Sequence, residues 1–327
     1  MSRYRKLSDY LRGKYGTRVH RLPINAGFTC PNRDGTISKG GCIFCEETGS
    51  GFGAMGEDVP ISQQVRVMME RAVRRYKAEK FIAYFQAFSN TYAPLDVLRK
   101  KYESALVDDR IVALSVSTRP DLLQEEILDL LEEFKEKVDV MVEVGFQTSN
   151  YRTLMKINRG HTLAEFIDAV IRLKKREFEV VAHVILNLPW DDMIDVVESA
   201  KILSALKIDG VKCHSLYIVD GTPLGEMFKR GEIEICSLEE YVERVVRFLE
   251  YLDPRIVIHR LVADPPKDKV LFGNWGLDKR KILWMIEKEL EQRDTYQGAR
   301  FNYLRRKGVD WFGKGKGIDG GSDQTRL

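Results

Sequence analysis

Cysteine is scarce in this chain, with five among 327 residues, and so small and odd a count excludes a disulfide scaffold. Long apolar runs are missing: none approaches the ~18 residues needed to cross a bilayer. The opening MSRYRKLSDY is basic but lacks the apolar core of a secretory leader. A cytoplasmic protein with no membrane partner is the expectation. Net charge is low too, +3 at pH 7, too little to hold a nucleic acid by field alone. With 44% hydrophobic and 31% charged residues, disordered and fibrous classes are excluded. The length suits one large or two ordinary domains with a sizeable core.

What cysteine there is lies concentrated. Cys30, Cys42 and Cys45 stand as C-x11-C-x2-C, and the intervening PNRDGTISKGG is turn chemistry, so the loop can wrap a metal centre. Three thiolates suit zinc with a fourth ligand, or an iron–sulfur cluster with one iron left open. His20 and Glu46, the nearest fourth ligands for zinc, stand at no familiar spacing. Both readings remain on the local motif, with iron–sulfur favoured. Cys213 reads as a buried small hydrophobe and Cys236 as incidental, and no second pair exists to hold another cluster.

From about residue 80, short Val/Ile/aromatic runs alternate with amphipathic stretches. Runs at 18–25, 80–88, 110–118, 139–147, 179–187 and 210–218 read as strands, and 62–77, 96–107, 123–137, 162–176 and 192–206 as helices. Six βα units mean parallel strands with crossover helices. Parity then separates a flat sheet from a barrel, because side chains alternate across a strand. One face carries Gln86, Ser115, Ser117, Glu143, Gln147, His183, Asn187, Lys212 and His214. The opposite parities, such as Val142, Val144 and Phe146, are apolar. A parallel sheet covered by helices on both faces would be apolar on both.

The expected fold class is therefore α/β: a partial (β/α)6 TIM-like barrel over residues 18–225. A basic N-terminal segment (1–17) precedes it and a mixed C-terminal extension (226–312) follows. The extension reads as a helix at 237–252, with Ser237 as N-cap and Glu240 at the capping-box position, then a strand at 255–261 and a helix at 279–292. The tail, 313–327, has no apolar periodicity and reads as disordered.

Several ordered segments carry a family likeness: GFTCPNRDGTISKGGCIFC (27–45), FQAFSNTYAPL (85–95), STRPDLL (117–123), EVGFQTSN (143–150), NRGHT (158–162), HVILNLPW (183–190), KCHSLYIVDGTPL (212–224) and HRLVADPP (259–266). With them the chain resembles the radical SAM superfamily, in particular the YhcC-like group related to the catalytic subunit of Elongator. The resemblance implies that Cys30, Cys42 and Cys45 bind three irons of a [4Fe-4S] cluster while S-adenosyl-L-methionine (SAM) chelates the fourth. It also implies reductive cleavage of SAM to a 5′-deoxyadenosyl radical, with electrons from an external donor of flavodoxin or ferredoxin type. The hard chemistry belongs to the cofactor, and the barrel positions it.

Residue roles follow from the same likeness. Phe44 lies where the family packs an aromatic beside the adenine. Glu143 resembles the position that binds the ribose hydroxyls, and a carboxylate on an inward face is costly without partners. Gln147 and Gln86 share the inward face. Arg159 resembles the contact to the SAM carboxylate, which a guanidinium fork suits; a surface salt bridge is its plain alternative. Ser117 and Arg119 stand at the C-terminal end of the third strand, the active face of such barrels, although Arg119-Pro120 could simply begin a turn. His183, Asn187, Lys212 and His214 converge as catalytic or substrate contacts, or as satisfied core polar groups.

Elongator-like relatives act on the wobble uridine of tRNA, so the resemblance points to tRNA base modification. Residues 1–21 hold seven Lys/Arg against one acidic residue, and 298–327 hold seven against three. Tyr4, Tyr10 and Tyr15 are interleaved among the first set, as phosphate and base contacts would require. The stretch after the barrel is too short for an acetyltransferase domain, so acetyl-CoA does not carry over. A radical SAM enzyme acting on a protein or small metabolite, and a non-enzymatic zinc-ribbon module, are the alternatives.

Overall fold

The computed structural model describes residues 2–46, 53–266 and 268–304. The tail read as disordered, with most of the C-terminal basic residues, lies outside that range. Seven strands form one parallel sheet: β1 (Val19–Ile24), β2 (Lys80–Phe85), β3 (Ile111–Thr118), β4 (Asp139–Gln147), β5 (Glu179–Ile185), β6 (Gly210–His214) and β8 (Val257–Arg260). They neighbour one another in that order. A short β7 (Ile218–Val219) pairs antiparallel with β9 (Val270–Phe272) outside it. Helix α1 (Leu7–Tyr15) precedes the first strand. The crossovers are α2 (Ile61–Tyr76), α3 (Leu95–Glu103), α4 (Glu125–Lys135), α5 (Tyr151–Lys156) with α6 (Leu163–Lys175), and α7 (Met193–Ala205). Then come α8 (Pro223–Lys229), α9 (Leu238–Tyr251) and α10 (Lys279–Gln292). Because each strand pairs with the next in sequence through a helical crossover, the sheet curls one way into a half-barrel.

The outer face of the sheet is the core. Leu22, Phe85, Val116, Val142, Val144, Val184 and Val211 are fully buried in one cluster with Met69, Leu131, Phe166 and Leu203 from the helices. Cys213 is fully buried there too, as parity requires. Several of the later helices start at side-chain caps. Thr162 with Glu165 and Asp192 with Asp195 make reciprocal capping boxes. Ser237 accepts from the Glu240 backbone N–H, but the Glu240 carboxylate turns to Arg244 instead, at 2.7 Å, so that box is half made.

The inner face is layered. Its floor is apolar: Ile82, Ala113 and Met141 pack under Leu11 of α1, with Leu7, Tyr10 and Val19 alongside. Helix α1 thus closes the N-terminal end of the barrel, and Gly16 stops it in a left-handed cap at φ 76°. The basic, tyrosine-rich start has intramolecular partners. Lys14 lies 3.1 Å from Glu179 and 3.2 Å from Asp139. The Tyr10 and Tyr15 hydroxyls donate to those same carboxylates, and Lys6 pairs with Glu287 at 2.7 Å. Lys6 and Lys14 thus carry carboxylate partners within the chain. Leu11→Ala is expected to cost about 2–5 kcal/mol, read from urea midpoints by circular dichroism. An unchanged midpoint would mean the floor is not part of the cooperative fold.

Two expectations need correction. The run at 210–218 is not one strand: it breaks after His214, and Ser215 turns aside to donate to Asn274 Oδ1 at 2.8 Å. An apolar run cannot register a side-chain bond to a residue far along the chain. The sheet also takes a seventh strand from the C-terminal extension, with Gly210 opposite Val257 and Lys212 opposite Arg260. Among the described residues no helix is long and apolar enough to cross a membrane.

Candidate active site

Above the apolar floor, parity turns one residue from each of β1 to β6 into an ionic layer, which Arg260 of β8 joins. Arg21 comes from β1, Tyr84 from β2, Ser115 from β3, Glu143 from β4, His183 from β5 and Lys212 from β6. Glu143 is its centre and is fully buried. Its Oε1 accepts from Ser115 at 3.1 Å and faces Arg21 Nη1 at 3.0 Å. Its Oε2 accepts from Tyr84 at 3.0 Å, Lys212 Nζ at 3.0 Å and His183 Nε2 at 2.6 Å. Lys212 also lies over the Tyr84 ring, 4.3 Å from its centroid.

These contacts decide the charges. Burial pushes the Glu143 carboxyl up, but Lys212, Arg21 and His183 more than reverse that and hold it well below the carboxylate range. Burial pulls Lys212 down to about 7 in spite of Glu143. It pulls His183 down to about 4 against the same carboxylate, so that imidazole is neutral at pH 7. Since His183 Nε2–H donates to Glu143, Nδ1 is the ring's acceptor.

Over this layer lies the mouth. A cavity of about 130 Å³ is lined by all three clustered cysteines and by Phe44, Gln86, Ser117, Arg119, Glu143, Gln147, Arg159 and His183. A second, of about 110 Å³, shares Phe44, Cys45, Gln147 and His183 with it and adds His214 and Tyr217. Every residue expected to touch cluster or SAM is thus brought to one place, together with His183 and His214. Lys212 and Asn187 line neither cavity. Lys212 lies in the layer beneath. Asn187 stands past the end of β5 and ties the chain, accepting from the Leu216 N–H at 2.7 Å.

The cysteine loop is held by turns and by the 158–160 segment. Asp34 Oδ1 caps the Thr36 N–H, and the Cys45 N–H donates to Cys42 O at 2.9 Å. Asn158 donates to Gly41 O at 2.8 Å and to Ser38, while Asn32 donates back to Asn158 O at 2.6 Å. Gly41, at φ +86°, supplies a backbone that an L side chain rarely adopts. The sulfurs meet N–H donors: Arg159 Nη1 at 3.6 Å and Asn32 Nδ2 at 3.7 Å from Cys42 Sγ, and Arg33 Nη1 at 3.6 Å from Cys45 Sγ. Burial and the Cys42 sulfur push the Cys45 thiol up to about 11. A bound metal centre inverts that balance and takes the thiolate.

Arg119 lines the cavity, but its guanidinium is occupied. Nε and Nη2 donate to Asp121 at 2.9 Å each, and Nη1 donates to Arg159 O at 2.8 Å. It positions Arg159. That arginine reaches the cavity across Gly145, where a Cβ would come within 2.1 Å of its Nη2. Its buried Nε has no hydrogen-bond partner among the described residues. Gln147, at φ 68°, closes a bulge in β4, a local distortion of the kind that re-aims side chains at functional sites.

Sequence reasoning misses Arg21, Tyr84 and Arg260. Tyr84 was within reach, since it shares the inward parity of Gln86. Arg21 needed the register of the edge strand, and Arg260 a strand assigned elsewhere.

A half-barrel with three thiols at the C-terminal mouth and a polar interior is an enzyme architecture built round a soft-metal centre. Comparison with known proteins agrees. The radical SAM superfamily profile matches residues 27–203 and the Radical_SAM C-terminal domain profile residues 208–292. The chain belongs to the radical SAM superfamily, enzymes that use SAM and an iron–sulfur cluster. It is 39% identical to YtqA of Bacillus subtilis (strain 168) over 302 residues, 92% of this chain and 94% of that protein. It is 33% identical to YhcC of Escherichia coli (strain K12), over 88% and 93%. The tRNA uridine(34) acetyltransferase of Methanocaldococcus jannaschii is 31% identical over 61% of this chain, which spans 36% of that longer protein. The archaeal Methanocaldococcus infernus Elp3 shares the fold, with a TM-score of 0.63 and 20% identity over 73% of this chain and 61% of that one.

Proposed function

We propose that this chain carries a [4Fe-4S] cluster on Cys30, Cys42 and Cys45 and uses it with SAM to modify a tRNA base of the wobble-uridine class. The observation that carries the first part is the shared cavity: three thiols, two of them (Cys42 and Cys45) approached by N–H donors, with a buried Arg159 Nε that has no partner among the described residues. Among the described residues no three His, Cys, Asp or Glu side chains converge on a single ion. Thiols spread round a cavity suit a polynuclear cluster, one iron to each. When bound, cluster and SAM supply hydrogen abstraction by a carbon radical.

The chain's own residues do the rest. Arg159 would hold the SAM carboxylate, Phe44 would pack against the adenine, and Glu143, Gln147 and Gln86 would face the ribose side. Ser117 donates to the Tyr84 hydroxyl at 3.2 Å and steadies that wall. His183 and His214, with ring centroids 5.1 Å apart, form the wall the substrate would meet. Reducing equivalents would come from a flavodoxin- or ferredoxin-type donor, in the cytoplasm where thiols stay reduced.

The tRNA part draws on kinship with the uridine(34) acetyltransferase. A small-metabolite substrate is the second reading, favoured by the intramolecular pairing of the basic N-terminus. Reduced, cluster-loaded protein with SAM and bulk tRNA separates them. The tRNA reading predicts RNA-dependent SAM turnover and a nucleoside of altered mass. Turnover indifferent to RNA contradicts it.

A further inference from the structure

The half-barrel leaves its edge strands β1 and β8 unpaired with each other, and a groove of about 450 Å³ opens between them. Its walls carry Lys6, Arg21, Arg260 and Lys279, and among the described residues that line it there is no Asp or Glu. The carboxylates that answer these cations stand outside the lining. Lys6 pairs with Glu287 at 2.7 Å, Lys279 with Asp264 at 2.6 Å, and Arg21 with Glu143 at 3.0 Å.

Arg260 is different. Its Nη2 donates to His214 Nδ1 at 2.5 Å, and among the described residues no carboxylate pairs with it. Burial and the Arg260 charge hold His214 well below its ordinary range, so the guanidinium has a neutral partner. The ionic layer thus sets the two guanidinium groups of Arg21 and Arg260, with Lys212 part-charged near neutral pH, against the single carboxylate of Glu143. A half-buried cation with no counter-charge is costly. Three donors beside the groove are also buried with no hydrogen-bond partner among the described residues: Arg21 Nε, Arg260 Nε and His259 Nε2. For His259 the tautomer follows from chemistry. A guanidinium cannot accept, so His259 Nδ1 accepts from Arg21 Nη2 at 2.5 Å and Nε2 carries the proton.

We infer that this lateral groove is an anion site, with Arg260 at its centre and Arg21 and His259 beside it, and that it takes a phosphate group of the substrate. Planar guanidinium forks and a ring N–H suit phosphate oxygens. The groove is linked to the mouth by one side-chain contact: Arg260, which lines the groove, donates to His214, which lines the cavity beside Cys45 and His183. A phosphate bound at Arg260 would therefore put the attached sugar or base within reach of the site. The link to substrate rests on the function proposed above; the anion site itself does not.

The test is calorimetric titration of the full, cluster-loaded chain with inorganic phosphate, uridine 5′-monophosphate and an anticodon stem-loop RNA, at matched ionic strength. Wild type is expected to bind each saturably. Arg260→Gln should weaken binding by roughly ten-fold or more, and Arg260→Lys by less. Lys288→Gln, on the exposed side of α10, should leave it unchanged. Tighter binding of the stem-loop than of the monophosphate identifies an RNA phosphodiester, and the reverse a small phosphorylated metabolite. No saturable binding in wild type, or equal binding by a folded Arg260→Gln variant, overturns the inference. Retained SAM cleavage in that case leaves the proposed function standing. Anion binding without SAM cleavage would uphold the groove as an anion site and overturn the proposed function.

Discussion

Glu143→Ala is expected to destabilise the chain by about 3–5 kcal/mol and to abolish productive SAM binding. The carboxylate is fully buried and meets Arg21, Lys212, His183, Tyr84 and Ser115. Removing it leaves two cations without their buried counter-charge and three further donors without an acceptor. The pH dependence has a definite sign. The folded pKa of Glu143 lies below its unfolded value. Its contribution is therefore complete above the ordinary carboxylate range and is lost as pH falls through the folded value. The stability gap between wild type and Glu143→Ala should be wide at neutral pH and narrower near ~pH 3.5. Lys212 works over another window. Its folded pKa of about 7 lies under its unfolded value of 10.5, so the unfolded chain binds the extra proton between them and this group's contribution rises with pH across that interval. Urea melts over pH read both effects. A gap that stays constant into acid would show that Glu143 is not the charge centre of the layer.

Cys42→Ala is expected to remove bound iron and sulfide and to lower SAM cleavage by roughly three orders of magnitude or more, with little effect on the fold. Cys42 sits between Asn32 and Arg159, and its loop is tied to Gly41 and Ser38 through Asn158 independently of the sulfur. The urea midpoint should therefore move far less than for Glu143→Ala. A variant that keeps its iron and its turnover would mean that Cys42 is not a ligand.

The cysteine loop and the mouth were legible because they rest on local rules. Turn residues fix where Cys30, Cys42 and Cys45 can gather, and strict alternation along β3 to β6 fixes which of Ser117, Glu143, His183 and Lys212 point inward. What was not legible depends on register and on distant partners. Arg21 meets Glu143 only because β1 pairs with β2 in the register that sets Arg21 opposite Ile82. Arg260 enters the barrel because β8 returns to β6 after two helices, a connection no local periodicity announces. Alternation also says nothing about what lies past a strand's end, which is why Asn187, in phase with His183, serves the backbone of Leu216. Composition likewise does not announce partners: the fold brings Glu287 to Lys6, and Asp139 and Glu179 to Lys14.

The central claim is that the three thiols form a catalytic cluster site opening on a SAM cavity. Anaerobic reconstitution with iron and sulfide, followed by dithionite and SAM, tests it most directly. Wild type is expected to give 5′-deoxyadenosine and methionine, and Cys42→Ala none above background. Purified protein that holds one zinc per chain and leaves SAM intact would contradict the claim.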